Sequence, residues 1–464
     1  MFSRACSSCS RPWLILLLAG ACLRIAAAGS ADDRTAGSVY ERLVRAAGVV
    51  NPPKLVVERY RPGAADRVAF LRTVPGPLPR RELVIDDKTI AICQSMGERA
   101  ESCLAYFLGH ELAHFTNNHN WEMHFARQQV DESIPPAQSV EYETQADRFG
   151  GLYAALAGYD SLSIAGKALA LVYREYGIPA NLPGYLSLAE RQKLPEDARV
   201  FLSGLLPMFD AAGLLMALGD YQPAAALYDA ILDQFPSREI YNNAGAALAS
   251  CYNPSIPWLL DGSTRLPERG SRGEADLAAL AARARDHFER AISLDPDYAV
   301  AHVNLGLLLQ AAGEEPERAA AELKTAARLA KGNHAAIAAA AGGQKPAVAA
   351  AGGPNASQLD LSALLPGGRR PADLIPARPD PVVRLSGGFS FFSRAVNGLS
   401  VFSVGPIGPD AKMLIAVLFP RVPEEWRGRL GPGKEIGLFP EKATLYESLG
   451  VLVGVRGALI YQLR

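Results

Sequence analysis

The chain has 464 residues, 49% hydrophobic and 20% charged, with 47 Lys and Arg against 48 Asp and Glu for a net charge of −1. Near-neutrality excludes a nucleic-acid binder, which needs a basic face to displace counterions, and the apolar content excludes wholesale disorder. At roughly 150 residues per domain the length accommodates about three domains, each able to bury a core.

Residues 1–28 carry Arg4, Arg11 and Arg24, no acids, and an apolar run from Trp13 to Leu23. That run is shorter than the about 20 residues a membrane span needs but suits the apolar region of a signal peptide. Ala26-Ala27-Ala28 then supplies a cleavage site. An uncleaved anchor is one alternative. Lipidation at Cys22 is another, since Ala19-Gly20-Ala21-Cys22 resembles a lipoprotein box with Ala19 where Leu is usual. The best later candidate for a span, 151–172, contains Asp160 and Lys167. The expectation is an exported, non-spanning protein, compatible with peripheral membrane association. Of the cysteines outside the leader, Cys93 and Cys103 close a short loop. Spacing alone leaves a disulfide and two buried thiols equally open.

His110-Glu111-Leu112-Ala113-His114 matches H-E-x-x-H within an apolar stretch that reads as a helix. Residues four apart project from one face, so His110 and His114 can share one Zn²⁺ at ~2.0–2.1 Å. Glu111 points slightly aside, placed to serve as general base toward a water whose pKa zinc lowers to about 7. The metzincin extension needs a third His six residues after His114; Asn120 stands there. His119 and His124 lie off the His110/His114 face and read as surface groups or supports of a ligand. The better third ligand is Glu143, paired at i, i+4 with Asp147 on a second helix. One carboxylate then ligates while the other orients a ligating histidine. Ala146 is small enough to let this helix approach the first. Glu141 is the rival ligand, without an acidic partner one turn on.

H-E-x-x-H followed by E-x-x-A-D resembles the gluzincin metallopeptidases of the HtpX, Oma and CAAX-prenyl-protease family, nearest their periplasmic BepA-like branch. The likeness covers about residues 40–200. It implies zinc bound by His110, His114 and Glu143, Glu111 as general base, Asp147 as the supporting acid, and His119 as a histidine that often follows the motif; the Arg commonly before it is Asn118 here. It also implies a periplasmic endopeptidase acting on unfolded or misfolded envelope proteins. Two departures stand out. Where relatives have a Gly-rich strand, this chain reads Lys88 to Cys93, taken as an edge strand offering Ile90, Ala91 and Ile92 to an extended substrate. Where relatives have H-P-x-x-x-x-R, this chain has Tyr185 through Arg191, and Tyr185 serves either as an oxyanion donor or as a packing aromatic.

From about 205 the pattern changes to Ala-rich helix pairs. Ala224, Tyr228 and Pro236, then Ala284, Phe288, Ala291 and Pro296, have the small–large–terminator spacing of tetratricopeptide second helices, set 60 residues apart by a Pro/Gly-containing insertion near 252–273. Such units form a groove for a peptide or protein partner. Residues 333–381 read as an Ala/Gly/Pro-rich linker, and 382–464 as a small β-rich domain with strands near 389–392, 399–402 and 458–463.

The expected fold class is therefore mainly α (α+β): signal peptide 1–28, zincin-type metallopeptidase domain 38–200, tetratricopeptide-like repeats 205–332, linker 333–381 and β-rich domain 382–464. Whether a loop covers the site at rest is left open by the sequence; the segment between Asn120 and Val140, with Pro135-Pro136, is the natural place for one. The competing reading is a non-enzymatic repeat scaffold or chaperone with a structural zinc. Such sites normally have four protein ligands, and three good ones appear here.

Overall fold

The computed structural model describes residues 31–49, 51–62, 68–75, 80–119, 136–181, 186–253, 274–330, 374–375, 382–396, 399–407, 414–419, 433–438, 441–446, 451–454 and 457–463. The leader with Cys22, His124, Tyr185, the insertion near 252–273 from residue 254 on and nearly all of the linker lie outside them. The protein is mostly helical with a small β-rich C-terminal region.

Helix α1 (Ala31–Ala46) buries Ala36, Val39, Tyr40, Leu43 and Ala46, one face at helical spacing. It begins before the boundary expected at 38. A three-stranded sheet follows, in the order β1-β3-β2. Strand β3 (Arg80–Asp86) is central, parallel to β1 (Lys54–Glu58) and antiparallel to β2 (Ala69–Val74).

Residues 88–93 are not a strand. They form helix α2 (Asp87–Gln94), which starts directly at the end of β3 because the Asp86 carboxylate accepts the Thr89 N–H at 2.7 Å and caps the first turn. Thr89, Ile90, Ile92 and Cys93 are buried at helical spacing. A helix satisfies its own backbone groups, so Ile90, Ala91 and Ile92 offer no pairing edge. The edges of this sheet are β1 and β2.

Helix α3 (Ala100–Thr116) is buried without interruption from Cys103 to His114. Cys93 and Cys103 are both free, buried thiols. Pro136–Val140, expected within a cover, is the first turn of α4 (Pro136–Leu156); residues 120–135 lie outside the described set. Helices α3 and α4 meet backbone to backbone. A Cβ on Gly150 would stand 2.7 Å from the Gly109 carbonyl and from His110 N, and one on Gly109 would stand 3.0 Å from Gly150 O. Helix α5 (Leu162–Tyr176) packs against Gly151 through Leu162.

Helix α6 (Leu188–Leu218) begins with a capping box between Ser187 and Glu190 and runs unbroken through the boundary expected at 200–205. It is long and apolar enough to cross a membrane, with a mean hydropathy of 1.7 over its most apolar stretch, yet 61% of that stretch is buried inside the protein. Helices α7 (Tyr221–Leu232), α8 (Arg238–Tyr252), α9 (Glu274–Leu294), α10 (Ala299–Ala312) and α11 (Pro316–Leu329) then pack each on the next. Gly245 of α8 admits the Phe288 ring of α9, and Gly306 of α10 admits Leu323 of α11; a Cβ at either glycine would stand 2.7 Å from that side chain. The same close contact thus recurs in two successive helix pairs.

Helix α8 is also docked on the N-terminal helices. Arg238 donates to Ala47 O at 2.8 Å and pairs with Glu239 and Asp295. The Tyr153 hydroxyl bonds Thr116 at 2.9 Å and Glu239 at 3.4 Å, linking α3, α4 and α8.

The C-terminal strands β4 (Val383–Leu385), β5 (Phe389–Val396), β6 (Leu399–Pro406), β7 (Leu414–Phe419), β8 (Lys434–Leu438), β9 (Glu441–Tyr446), β10 (Val451–Gly454) and β11 (Gly457–Leu463) form one antiparallel sheet in the order β4-β5-β6-β7-β11-β10-β9-β8. The three strand segments read from the sequence fall in β5, β6 and β11.

The Gly109–Gly150 contact generates a prediction in which two effects oppose. Gly150→Ala raises helix propensity by about 1 kcal/mol but drives a methyl into the α3 backbone, an overpacking cost of about 1–3 kcal/mol. The steric term wins because the obstacle is main chain. Thermal unfolding is expected to show a lower midpoint for Gly150→Ala than for the parent.

Candidate metal centre

The crossing of α3 and α4 sets three donor atoms facing one another. His110 Nε2 and His114 Nε2 are 3.1 Å apart, and Glu143 places its oxygens 3.4 Å from the first and 3.6 Å from the second. A tetrahedral zinc site with ligands at ~2.0–2.1 Å has donor–donor edges of roughly 3.3–3.4 Å, so these residues fit such an ion. All three side chains are buried, and theirs is the group among the described residues whose geometry could hold a metal.

The supports converge from several elements. Asp147, one turn after Glu143 on α4, accepts from His110 Nδ1 at 2.9 Å, which leaves Nε2 toward the cluster. Arg191, in the first turn of α6, is fully buried; it donates to Asp147 at 2.6 Å and lies 3.2 Å from Glu143 and 3.4 Å from the His110 ring nitrogens. Two buried carboxylates beside one another would repel; the guanidinium between them offsets that repulsion.

His119 is brought in by the way α3 ends. Asn118 adopts a left-handed conformation at φ 51°. The N–H of Asn118 bonds Phe115 O at 3.3 Å and the N–H of His119 bonds His114 O at 3.0 Å, the hydrogen-bond pair of a Schellman stop. The chain therefore doubles back and sets His119 Nδ1 2.9 Å from His114 Nδ1. Asn tolerates this backbone better than most residues. Asn118→Gly is accordingly expected to leave stability nearly unchanged, and Asn118→Val to lower it by about 1–2 kcal/mol in denaturant unfolding.

Burial and charge set the protonation of the metal-free cluster. Burial alone would lower the His110 pKa, but Glu143 and Asp147 outweigh it and raise it to about 9. Burial raises Glu143, while Arg191, His110 and His114 hold it well below the usual carboxylate range. His114 is pushed far down by burial and by the His110 charge, and His119 is lowered by burial. Glu111, buried beside the cluster, is pushed up to about 8 by desolvation, with the His110 and Arg191 charges opposing.

The residues expected at the site thus divide clearly. His110, Glu111, His114, Glu143, Asp147 and His119 come together. Ile90, Ala91 and Ile92 do not form the expected strand. Arg191 was present in the sequence only as the last residue of the Tyr185 segment; a buried role for it was not legible without the partner carboxylates. Tyr173 of α5 is a second addition, a buried tyrosine whose hydroxyl has no hydrogen-bond partner among the described residues and lies within electrostatic reach of Arg191 and Glu143.

No family model matches the chain, and neither the curated proteins nor the solved structures contain a match.

In the metal-free protein His110 is protonated below about pH 9, so zinc must displace that proton. Zinc affinity is expected to rise as pH is raised from 7 toward 9 and then to level off. Titration calorimetry in buffers of different ionisation enthalpy should register the released proton at pH 7.5.

Proposed function

We propose that the protein is an exported zinc-dependent endopeptidase. The observation that carries this reading is the donor triangle of His110, His114 and Glu143 with Glu111 buried beside it: three protein ligands and a carboxylate set aside from them. Bound zinc would polarise a scissile carbonyl and acidify the attacking water.

The chain's own groups supply the rest. Glu111, buried beside the ligands, takes the proton of the attacking water and delivers it to the leaving amine. Asp147 holds His110 in the tautomer that leaves Nε2 free. Arg191 neutralises the carboxylate pair and keeps Glu143 ionised. With residues 88–93 helical, an extended substrate would pair instead with an edge of the β1-β3-β2 sheet.

The resemblance of the paired motifs to the BepA-like gluzincins supports an envelope location and substrates that are unfolded or misfolded envelope proteins. The repeated glycine contacts of α8–α9 and α10–α11 support tetratricopeptide-like repeats that receive a polypeptide or a partner.

Near-complete burial of all four groups, at 2% exposure for His110 and Glu111, 5% for His114 and 3% for Glu143, is also what a structural zinc site in a scaffold or chaperone shows. One comparison separates the two. The protein from residue 29 onward, loaded with zinc, is expected to cleave an unfolded polypeptide, and Glu111→Gln is expected to bind zinc and cleave at least about a hundredfold more slowly. Zinc binding by both without cleavage by either would favour the scaffold.

A further inference from the structure

The nitrogen that His114 turns toward the cluster is selected by a hydrogen-bond chain running away from it. His114 Nδ1 lies 2.9 Å from His119 Nδ1, and His119 Nε2 lies 2.9 Å from Gln145 Oε1. The Gln145 amide nitrogen in turn donates to Glu141 Oε1 at 3.1 Å, at the protein surface. Glu141 and Gln145 are four apart on α4 and share a face. Tyr142 stacks on His119 with ring centroids 4.5 Å apart, holding the imidazole in this chain.

The direction of every donor follows from one end. An ionised carboxylate only accepts, so the amide nitrogen of Gln145 must face Glu141 and its oxygen must face His119. His119 then donates from Nε2 and, as a neutral imidazole, accepts at Nδ1. His114 must therefore carry its proton on Nδ1, which leaves the Nε2 lone pair directed at His110 and Glu143. With the amide turned over, each donor reverses. His119 would carry its proton on Nδ1, and His114 would place a proton on Nε2, where a metal ligand needs a lone pair.

We propose that Gln145, oriented by Glu141, is a positioning residue that fixes the ligating tautomer of His114 through His119. The proposal rests on the metal-centre reading of the cluster. It also gives Glu141, which lies two residues before the ligand Glu143, a part in the site other than ligation.

Two measurements test it. The first is zinc affinity by competition with a chromophoric chelator. The second is the ¹⁵N imidazole spectrum of the metal-free, histidine-labelled protein, which distinguishes Nδ1–H from Nε2–H. Gln145→Leu, which removes the acceptor, is expected to weaken zinc binding about tenfold, and Gln145→Lys, which puts a donor there, about a hundredfold. Gln145→Glu, which keeps an acceptor, should restore most of the affinity. Glu141→Lys, an exposed substitution that leaves the fold intact, would donate to the amide oxygen and turn the amide over; it should weaken binding without touching either histidine. In the spectrum the parent should show Nε2–H at His119 and Nδ1–H at His114. Unchanged affinity in Gln145→Leu, Gln145→Lys and Glu141→Lys would overturn the proposal, as would the opposite tautomers in the parent. A parent chain that binds no zinc would instead overturn the metal-centre reading. In the parent the His110 Nε2–H at 3.1 Å also favours Nδ1–H at His114. The positioning claim is then decided by the spectra of Gln145→Lys and Glu141→Lys, in which the His114 proton should move toward Nε2 relative to the parent.

Discussion

Helices α3 and α4 touch main chain to main chain at Gly109 and Gly150, and the position of every group in the cluster depends on that contact. His110 follows Gly109 directly, and Asp147 and Glu143 stand one and two turns before Gly150. With side chains at the crossing the two helices would stand farther apart, and the donor separations of 3.1–3.6 Å would be lost. Packing distance and ligand geometry are here the same constraint.

That closeness creates an electrostatic problem that a third element resolves. Glu143 and Asp147 are buried, and neither is near bulk water. Burial of such charges is costly unless they are paired. Arg191 arrives from the first turn of α6, where the Ser187–Glu190 capping box sets the start of the helix. Because α6 continues to Leu218 and packs on α7, the residue that balances the cluster belongs to a helix that also reaches the later helix pairs. The Thr116–Tyr153–Glu239 bonds make a second connection, from α3 and α4 to α8. Helices α3 and α4 are thus joined to α6 and to α8 at two places.

The candidate site was legible in the sequence to the extent that helical spacing governs it. His110 with His114 and Glu143 with Asp147 are i, i+4 pairs, and any helix places such pairs on one face. The strand expected at 88–93 failed for a local reason. Ile90 and Ile92 alternate as a strand would, but the run is short, and apolar runs of that length fit either element. Asp86 decided it by capping a helix. At 200–205 the composition changes while the backbone continues as one helix. That the chain turns to helices packed one on the next was readable from Ala, Tyr and Pro at fixed offsets, while the close contacts at Gly245 and Gly306 were not.

The sequence by itself determined which side chains could ligate and which helices bear them, because both follow from local periodicity and side-chain chemistry. Only the tertiary structure decided that Arg191 lies between two carboxylates, that Gln145 reaches His119, and that Gly109 meets Gly150. Each of those contacts joins elements distant in the chain, and no local rule of spacing encodes which distant surfaces will pack. Even the tautomer of His114 follows from such a contact, since a histidine's free nitrogen is chosen by whatever partner meets the other one.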